Sequence, residues 1–259
     1  RRSARTALFS DAGGFRSYYD SLQATVQKRF SRGYMLRFAY TWSKTIGPVG
    51  NWTGVDGYQN HTPEYWPLIA HVVRNWDRTH MFTTAFAFEL PFGRGKRWAS
   101  SGPAAALLGG WQFNGLFTAY SGSPFTVTAS GASLNAPGNS QIADQIKPKV
   151  EIIGKREQWF DTSAYAPVTE ARFGNSGWNQ LRGPGLVNLD MGIFRTFRLT
   201  EQVQLQFRAE GFNLSNTPHF GNPRNNVSSS GFGEITGVQN TGREGIDERM
   251  FRFGLRVNF

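Results

Sequence analysis

The chain of 259 residues contains no cysteine, which excludes disulfide bonds, thiolate metal sites and a cysteine nucleophile. It has no apolar run approaching the roughly 18 residues of a membrane-spanning helix, and the best candidate, PAAALLGGW, is far too short. The histidines lack the spacing of a zinc-binding helix, and neither a phosphate-binding glycine loop nor a Gly-x-Ser-x-Gly elbow occurs. We therefore expect no enzyme activity, no metal site and no bound cofactor.

Acidic residues are scarce relative to basic ones: 18 Asp and Glu stand against 28 Lys and Arg, for a net charge of +10. A basic chain suggests nucleic acid, an anionic membrane surface or an acidic ligand as the partner. The basic residues are scattered singly along the chain rather than gathered in one patch. We therefore expect no nucleic-acid partner.

Aromatic residues and glycine are abundant, with 22 Phe and 30 Gly, which favours strands and turns. The chain ends in MFRFGLRVNF, in which every second residue is apolar: Phe251, Phe253, Leu255, Val257 and Phe259. The same period of two recurs in SLQATVQKRF, YMLRFAYTWS, THMFTTAFAFEL, WQFNGLFTAY, VNLDMGIFRTFRL and VQLQFRAEGF. Strands of about ten residues are long, because strands in soluble sheets usually have about five or six.

The connections between these strands alternate in length. Two hairpin turns have short linkers at 31–33 and 200–202, and a connection of moderate length covers 91–110. The other connections are long and rich in Gly, Asn, Ser and Pro, at 45–78, 129–186 and 213 to about 249. Short turns on one side and long loops on the other are typical of a transmembrane β-barrel, whose short turns are periplasmic.

The alternation alone also fits a secreted or surface β-sandwich that binds a ligand or adheres to a surface. Two features indicate that the apolar face contacts lipid rather than a second sheet. The face opposite the apolar one carries Gln, Thr, Asn, Gly, Ser and Arg, and aromatic residues such as Tyr34 and Trp42 lie near the ends of the apolar face. We predict an all-β fold: an antiparallel up-and-down transmembrane β-barrel segment of about seven long strands, as an incomplete barrel in the outer membrane of a Gram-negative bacterium.

Several segments resemble the C-terminal barrel of TonB-dependent receptors, most closely the Oar-like branch: YDSLQATVQKRFSRGYMLRFAYTWSKTI, DRTHMFTTAFAFELPFGRGKRW, GGWQFNGLFTAYSGSPFTV, LRGPGLVNLDMGIFRTFRL and LQFRAEGFNLSNTPHFGNP. The resemblance implies a 22-stranded barrel, a plug domain and uptake energised from the inner membrane. We therefore expect residues 1–259 to be the C-terminal portion of such a barrel, without the plug and the N-terminal regulatory domain. The TonB complex would then be a partner only through the missing plug, and the extracellular ligand (siderophore, saccharide or peptide) is unknown.

The terminal strand resembles the signal that outer-membrane proteins present to the barrel-assembly machinery, with Phe259 at the membrane boundary. On the polar face, Asp190 and Glu210 fall on adjacent strands near Arg198 and Arg208. Because charges in a barrel interior need partners, we predict a structural network of these side chains, the alternative being acid–base catalysis by the two carboxylates.

The long loops carry aromatic residues that are candidate contacts for an extracellular ligand. The alternatives are packing within the loops and contact with neighbouring lipopolysaccharide. Basic loop residues such as Lys147 and Arg156 suit lipopolysaccharide or an anionic substrate, and Arg94, Lys96 and Arg97 suit phospholipid head groups. The candidate aromatic contacts are Trp52, Tyr58, Trp66, Trp76, Trp159 and Trp178.

Overall fold

The computed structural model describes residues 17–47, 71–135, 140–239 and 248–259. The strands of the main sheet are β1 (Tyr18–Ser31), β2 (Tyr34–Gly47), β3 (Val72–Val73), β4 (His80–Glu89), β5 (Trp111–Tyr120), β12 (Leu186–Arg198), β13 (Gln204–Phe212) and β14 (Met250–Asn258). Between β5 and β12 lie β6 (Pro124–Phe125), β7 (Thr128–Ser130), β8 (Ser140–Ile142), β9 (Asp144–Gln145), β10 (Tyr165–Ala166) and β11 (Leu181–Arg182). The helix α1 spans Gly102–Leu108, and single turns of 3-10 helix span Gly131–Leu134 and Thr162–Ala164.

All seven long strands predicted from the alternation are present and form one antiparallel sheet. Their order is β1-β2-β4-β5-β12-β13-β14, with the short β3 paired to β2, so each long strand pairs with the next one along the chain. In the part of the chain that the structure describes, β1 and β14 are the two edges and the sheet does not close. The predicted fold class, an up-and-down antiparallel sheet that forms an incomplete barrel, is confirmed. No helix among the described residues has the length and apolarity needed to cross a membrane.

The strand register sorts the side chains into two faces, because successive residues of a strand point to opposite sides. One row across five strands is almost wholly apolar: Val26, Phe38, Thr84, Phe117 and Leu189. The adjoining row, displaced by one residue on each strand, is small or polar: Thr25, Ala39, Thr83, Thr118 and Asn188. The sheet therefore has one apolar face and one polar face.

The β1–β2 turn shows how the register is set. Arg32 and Gly33 are its two central residues, and both have a positive φ, 53° and 83°. Positive φ at both central positions is the geometry of a type I′ turn, whose twist matches that of the flanking strands. The turn holds Ser31 opposite Tyr34, and a register shift of one residue between Lys28 and Ser31 then brings Val26 opposite Phe38, which aligns the apolar residues of β1 and β2.

The long connections at the other end of the sheet fold together; the sequence suggested packing within the loops only as an alternative role for their aromatic residues. Residues 121–135, 140–185 and 213–239 form one packed unit, here called the cap. Its core is a cluster of buried side chains, with Val227 and Phe232 of the third segment packed against it: Phe125, Val127, Ala129, Ala143, Phe160, Ala164, Tyr165, Val168 and Leu181. The sequence showed no strands in these connections because the strands of the cap have two or three residues, too few to show a period.

The polar face of the sheet is covered at its loop end, whereas the apolar face is open. On β12, Asn188 is 3% exposed whereas its neighbour Val187 is 46% exposed. On β2, Ser43 is 3% exposed and Trp42 is 47% exposed. A sandwich would bury the apolar face beneath a second sheet, and within the described ranges that face has no such layer. The apolar face is therefore the one that suits lipid.

Candidate functional site

A cavity of about 670 Å³ lies where the ends of β2 and β3 meet the cap. Its wall combines two indole rings with amide, hydroxyl and basic side chains. No acidic side chain is among the described residues that line it. The lining residues that matter for recognition are Trp42, Lys44, His71, Trp178, Asn179 and Gln180.

Asn179 holds the cap segment of this wall in place. Its φ of 53° is left-handed, a conformation that Asn tolerates better than most residues. Its side-chain amide donates to the carbonyl oxygen of Val73 at 2.7 Å and to Oδ1 of Asn75 at 2.6 Å. Its backbone N–H donates to Oγ1 of Thr126 at 3.0 Å. These bonds tie the segment that carries Trp178 to the β3 end of the sheet.

Trp178 presents a hydrogen-bond donor that the described residues leave unused. Its Nε1 atom is buried and has no hydrogen-bond partner in the part of the chain that the structure describes. Buried polar atoms are nearly always paired with protein or water, so an unused donor beside a cavity suits an acceptor atom of a ligand or of water. The indole also offers an apolar surface on which a ring can stack.

An ion pair between β11 and the segment before β4 supports the cavity from below. The carboxylate of Asp77 is fully buried and accepts hydrogen bonds from the Arg182 guanidinium and, at 2.6 Å, from the backbone N–H of Thr45. Arg182 also donates to the carbonyl oxygen of Gly122 at 3.1 Å. Arg182, whose charge Asp77 neutralises, lines the cavity together with the basic residues Lys44 and His71.

A second cavity of about 390 Å³ adjoins the first, and Gly177 and Gln180 line both. Its wall includes Lys147 and Asn175. Lys147 donates to Asp161 at 2.6 Å, and Asn175 accepts from the backbone N–H of Gln145 at 2.7 Å. The two cavities together form a groove between the cap and the ends of β2 and β3, lined by polar and aromatic side chains.

The aromatic residues predicted as ligand contacts lie in different environments. Trp52, Tyr58 and Trp66 lie outside the described residues. Trp76 is 56% exposed, and the Arg74 guanidinium lies 4.3 Å from its ring centre. Trp159 packs against the cap core and donates from Nε1 to the carbonyl oxygen of Arg182 at 2.7 Å, so its environment is structural. Trp178 lines the cavity.

The four charged residues predicted as an interior network lie on the polar face but do not pair with one another. Asp190 accepts from Nδ2 of Asn188 and from the backbone N–H of Asn213, both at 2.9 Å. Arg208 donates to Gln206 at 2.8 Å and stacks over Phe194, its cross-strand neighbour. Arg198 lies at the short-turn end of β12, opposite Gln204, and is too far along the strand to reach Asp190.

Glu210 is the fourth member of that predicted network. It lines a cavity of about 260 Å³ together with Asp190, Asn114 and Phe194. Its cross-strand neighbours are Gly192 and Arg252. None of the ion pairs found among the described residues joins two of the four predicted members; the pairs involve Glu89, Asp161, Asp144, Glu170 and Asp77 instead.

The predicted assembly signal forms the edge strand β14. Phe251, Phe253, Leu255 and Val257 face the same side as the apolar residues of β13, because Phe207 is opposite Leu255 in the register. These side chains are exposed, Phe253 to 75%, and the terminal Phe259 is exposed to 99%. Their placement leaves them open to contact from lipid or protein.

The sequence did not single out Lys44, Asn179 and Gln180 as site residues. Lys44 is one of many scattered basic residues, and the amide residues carry no motif. The 177–182 segment lies beside β2 and β3 only because the chain folds, since about a hundred or more residues of sequence separate them.

An open up-and-down sheet of long strands, with an uncovered apolar face and a polar face covered at its loop end, defines the class of outer-membrane β-barrels. A family model described as an outer membrane beta barrel domain matches residues 5–249, and the chain belongs to this family. The protein is therefore located in the outer membrane of a Gram-negative bacterium. No curated protein and no solved structure matches the chain.

Proposed function

We propose that the chain is the C-terminal barrel portion of a TonB-dependent receptor of the Oar-like type, with a non-enzymatic role in uptake of an extracellular ligand. The observation that carries this proposal is the groove between the cap and the loop end of the sheet. Short turns of outer-membrane barrels are periplasmic and long loops are extracellular. The groove is then open to the cell exterior, where a receptor meets its ligand.

The open sheet supports the idea that further strands complete the barrel. Hydrocarbon offers no partner to the unpaired N–H and C=O groups of an edge strand, and each unpaired group costs several kcal/mol. In this proposal, additional strands therefore pair in the membrane with the edges of β1 and β14 that the described residues leave free. In this proposal the other strands and a plug domain come from the rest of the receptor, and the plug would make the contact with the TonB complex.

The cavity wall bears on the ligand class. Indole rings next to amide side chains suit a saccharide or a peptide, and the basic charge of Lys44 suits an anionic group on either, or an anionic iron chelate. The absence of acidic side chains among the described lining residues disfavours a cationic ligand. We retain the three ligand classes, siderophore, saccharide and peptide, as the ones to be tested.

Two experiments test the proposal. The reading frame upstream of Arg1 should encode a plug domain, and a frame without one would contradict the assignment to TonB-dependent receptors. Cells that produce the protein should accumulate one member of a panel of radiolabelled ferric siderophores, oligosaccharides and peptides. An uncoupler of the proton-motive force should abolish that accumulation.

Variants then connect uptake with the groove. Trp178→Ala removes the indole of the cavity wall and should lower accumulation severalfold. Trp76→Ala is the matched control, because this exposed indole does not line the cavity. Equal accumulation by the two variants would indicate that the groove has no role in uptake.

A further inference from the structure

The connection between β4 and β5 contains a helix without a polar side chain. Helix α1 has the sequence GPAAALL, and Ala105 is its one buried residue. Leu107 and Leu108 are 70% and 48% exposed. A helix that is apolar all round is stable when it is buried or in a membrane. The described residues leave most of α1 uncovered, so its surroundings should be apolar.

Arg195 binds the end of this helix to the apolar face of the sheet. Arg195 is itself on the apolar face, between Trp111 and Phe207 in the strand register. Its guanidinium donates to the carbonyl oxygen of Leu107 at 2.6 Å and to that of Ala106. A cation is favourable at a helix C-terminus, where the last carbonyl groups have no partner within the helix. The helix therefore ends on the outer side of the sheet.

Further contacts fix the helix in this place. The indole N–H of Trp111 donates to the carbonyl oxygen of Leu107 at 3.0 Å. At the other end of the connection, a Cβ added to Gly93 would lie 2.6 Å from the Cα of Gly109. Only glycine permits two backbone segments to approach so closely. The connection is thus closed into a compact element that holds α1 against the sheet.

Aromatic and basic side chains surround the start of the connection. Trp98 is 51% exposed, and its ring centre lies 5.6 Å from that of Phe92. The Arg97 guanidinium lies 5.6 Å from the Trp98 ring, and Arg94 is exposed beside them. Indole rings are favoured at the level of lipid head groups, and arginine matches the geometry of a phosphate group.

We propose that residues 91–110 form a lipid anchor in the periplasmic leaflet of the outer membrane. Phospholipid acyl chains cover Leu107 and Leu108, and the phosphate groups lie beside Arg94 and Arg97. Lipid is the expected occupant because Arg195 and Trp111 join α1 directly to the apolar face that the membrane covers. The proposal requires the outer-membrane location of the protein and is independent of ligand uptake.

Single nitroxide labels test this proposal, since the chain has no native cysteine to interfere. The full chain with Leu107→Cys is labelled and studied in isolated outer membranes by electron paramagnetic resonance. Collision rates are measured with oxygen, which concentrates in lipid, and with a nickel chelate, which remains in water. Val26→Cys on the apolar face of β1 is the lipid reference, and Glu201→Cys in the β12–β13 turn is the water reference.

Each outcome has a distinct meaning. A label at position 107 with frequent oxygen collisions and few nickel collisions, as at position 26, supports the anchor. Frequent nickel collisions, as at position 201, overturn it in favour of a helix exposed to the periplasm. Rare collisions with both reagents also overturn it, because the helix would then be covered by protein.

A second variant tests the role of Arg195. Adding Arg195→Ala to the Leu107→Cys protein should raise the nickel collision rate severalfold, because the helix loses the partner of its last carbonyl groups. Arg195→Lys retains a donor and should preserve most of the protection. An unchanged rate in Arg195→Ala would contradict the docking role. If that variant does not fold, the labels at positions 107, 26 and 201 still decide the proposal.

Discussion

The buried carboxylate of Asp77 and the guanidinium of Arg182 join the sheet to its cap. Asp77 precedes β4, whereas Arg182 belongs to β11 of the cap, and 105 residues of sequence separate them. The Asp77 side chain has no exposed surface, and it also accepts from the backbone N–H of Thr45 at the end of β2. One carboxylate thus connects three segments at the floor of the candidate ligand cavity.

Replacing Arg182 with alanine should loosen the cap. Removal of one partner of a fully buried ion pair typically costs about 3–5 kcal/mol, and we expect a smaller loss here because a third of the Arg182 side chain is exposed. The measurement is the rate at which an added protease cleaves residues 140–185 in intact outer membranes, compared with the unmodified protein. Lys147→Ala is the control, because its pair with Asp161 lies at the surface and should matter little. Equal cleavage of both variants would argue against a special role for the Asp77 pair.

The cap core should lose stability in alkaline solution because of Tyr165. Burial raises the pKa of Tyr165 from 10.0 to about 12. The folded cap therefore keeps this proton at a pH at which the unfolded chain has released it. The stabilisation is complete below pH 10 and declines as the pH rises towards 12.

Tyrosinate absorbance and cap unfolding together check this prediction. Subtracting the absorbance titration of Tyr165→Phe from that of the native protein isolates the titration of Tyr165. Its midpoint should lie near pH 12, at the pKa of the buried side chain. The resistance of the cap to unfolding by urea should fall less between pH 10 and pH 12 in Tyr165→Phe than in the native protein. A midpoint near the ordinary tyrosine value would show that the side chain is not buried in the cap.

Gly115 and Phe86 form a close pair across β4 and β5. A Cβ added to Gly115 would lie 2.1 Å from Cζ of Phe86, because the ring covers the glycine. Gly115→Ala must displace that ring, at a cost towards or below the lower end of the roughly 1–3 kcal/mol of overpacking a closed core, because the ring lies on the open apolar face. The temperature at which the protein loses its heat-modifiable gel migration should fall accordingly.

Two further variants isolate the steric cause in the Gly115 pair. Gly254→Ala should leave that temperature nearly unchanged, since a Cβ there meets open space. Combining Gly115→Ala with Phe86→Leu should recover part of the loss, because the smaller side chain frees the space over position 115. A double variant less stable than the sum of the single changes would exclude the collision as the cause.

The strands were predictable from sequence and the cap was not, for physical reasons that particular residues show. Val26 and Phe38 belong to long period-two patterns, which the membrane requires of every strand. Phe160 packs on Phe125 at 5.7 Å and on Phe232 at 5.3 Å between ring centres, although these residues are far apart in the sequence. No local sequence pattern predicts contacts between residues so far apart in the chain.

The candidate site shows the same division. Trp178 was predicted as a candidate contact from its aromatic character within a long connection, which is a property of one residue. Asn179 was missed because its importance comes from a left-handed backbone and from a bond to Val73, which is 106 residues earlier. Both features depend on how the cap meets the sheet.

Neighbouring residues halfway along β1 test which face of the sheet meets the membrane. Val26 is on the apolar face opposite Phe38, and Thr25 is on the polar face opposite Ala39. Val26→Arg places a charge towards hydrocarbon and should cost about 2–4 kcal/mol, whereas Thr25→Arg points into the wet interior and should cost much less. The fraction of protein with heat-modifiable migration in isolated outer membranes measures both. Since the two positions share a strand and a depth, a larger loss for Thr25→Arg would reverse the faces assigned to the whole sheet.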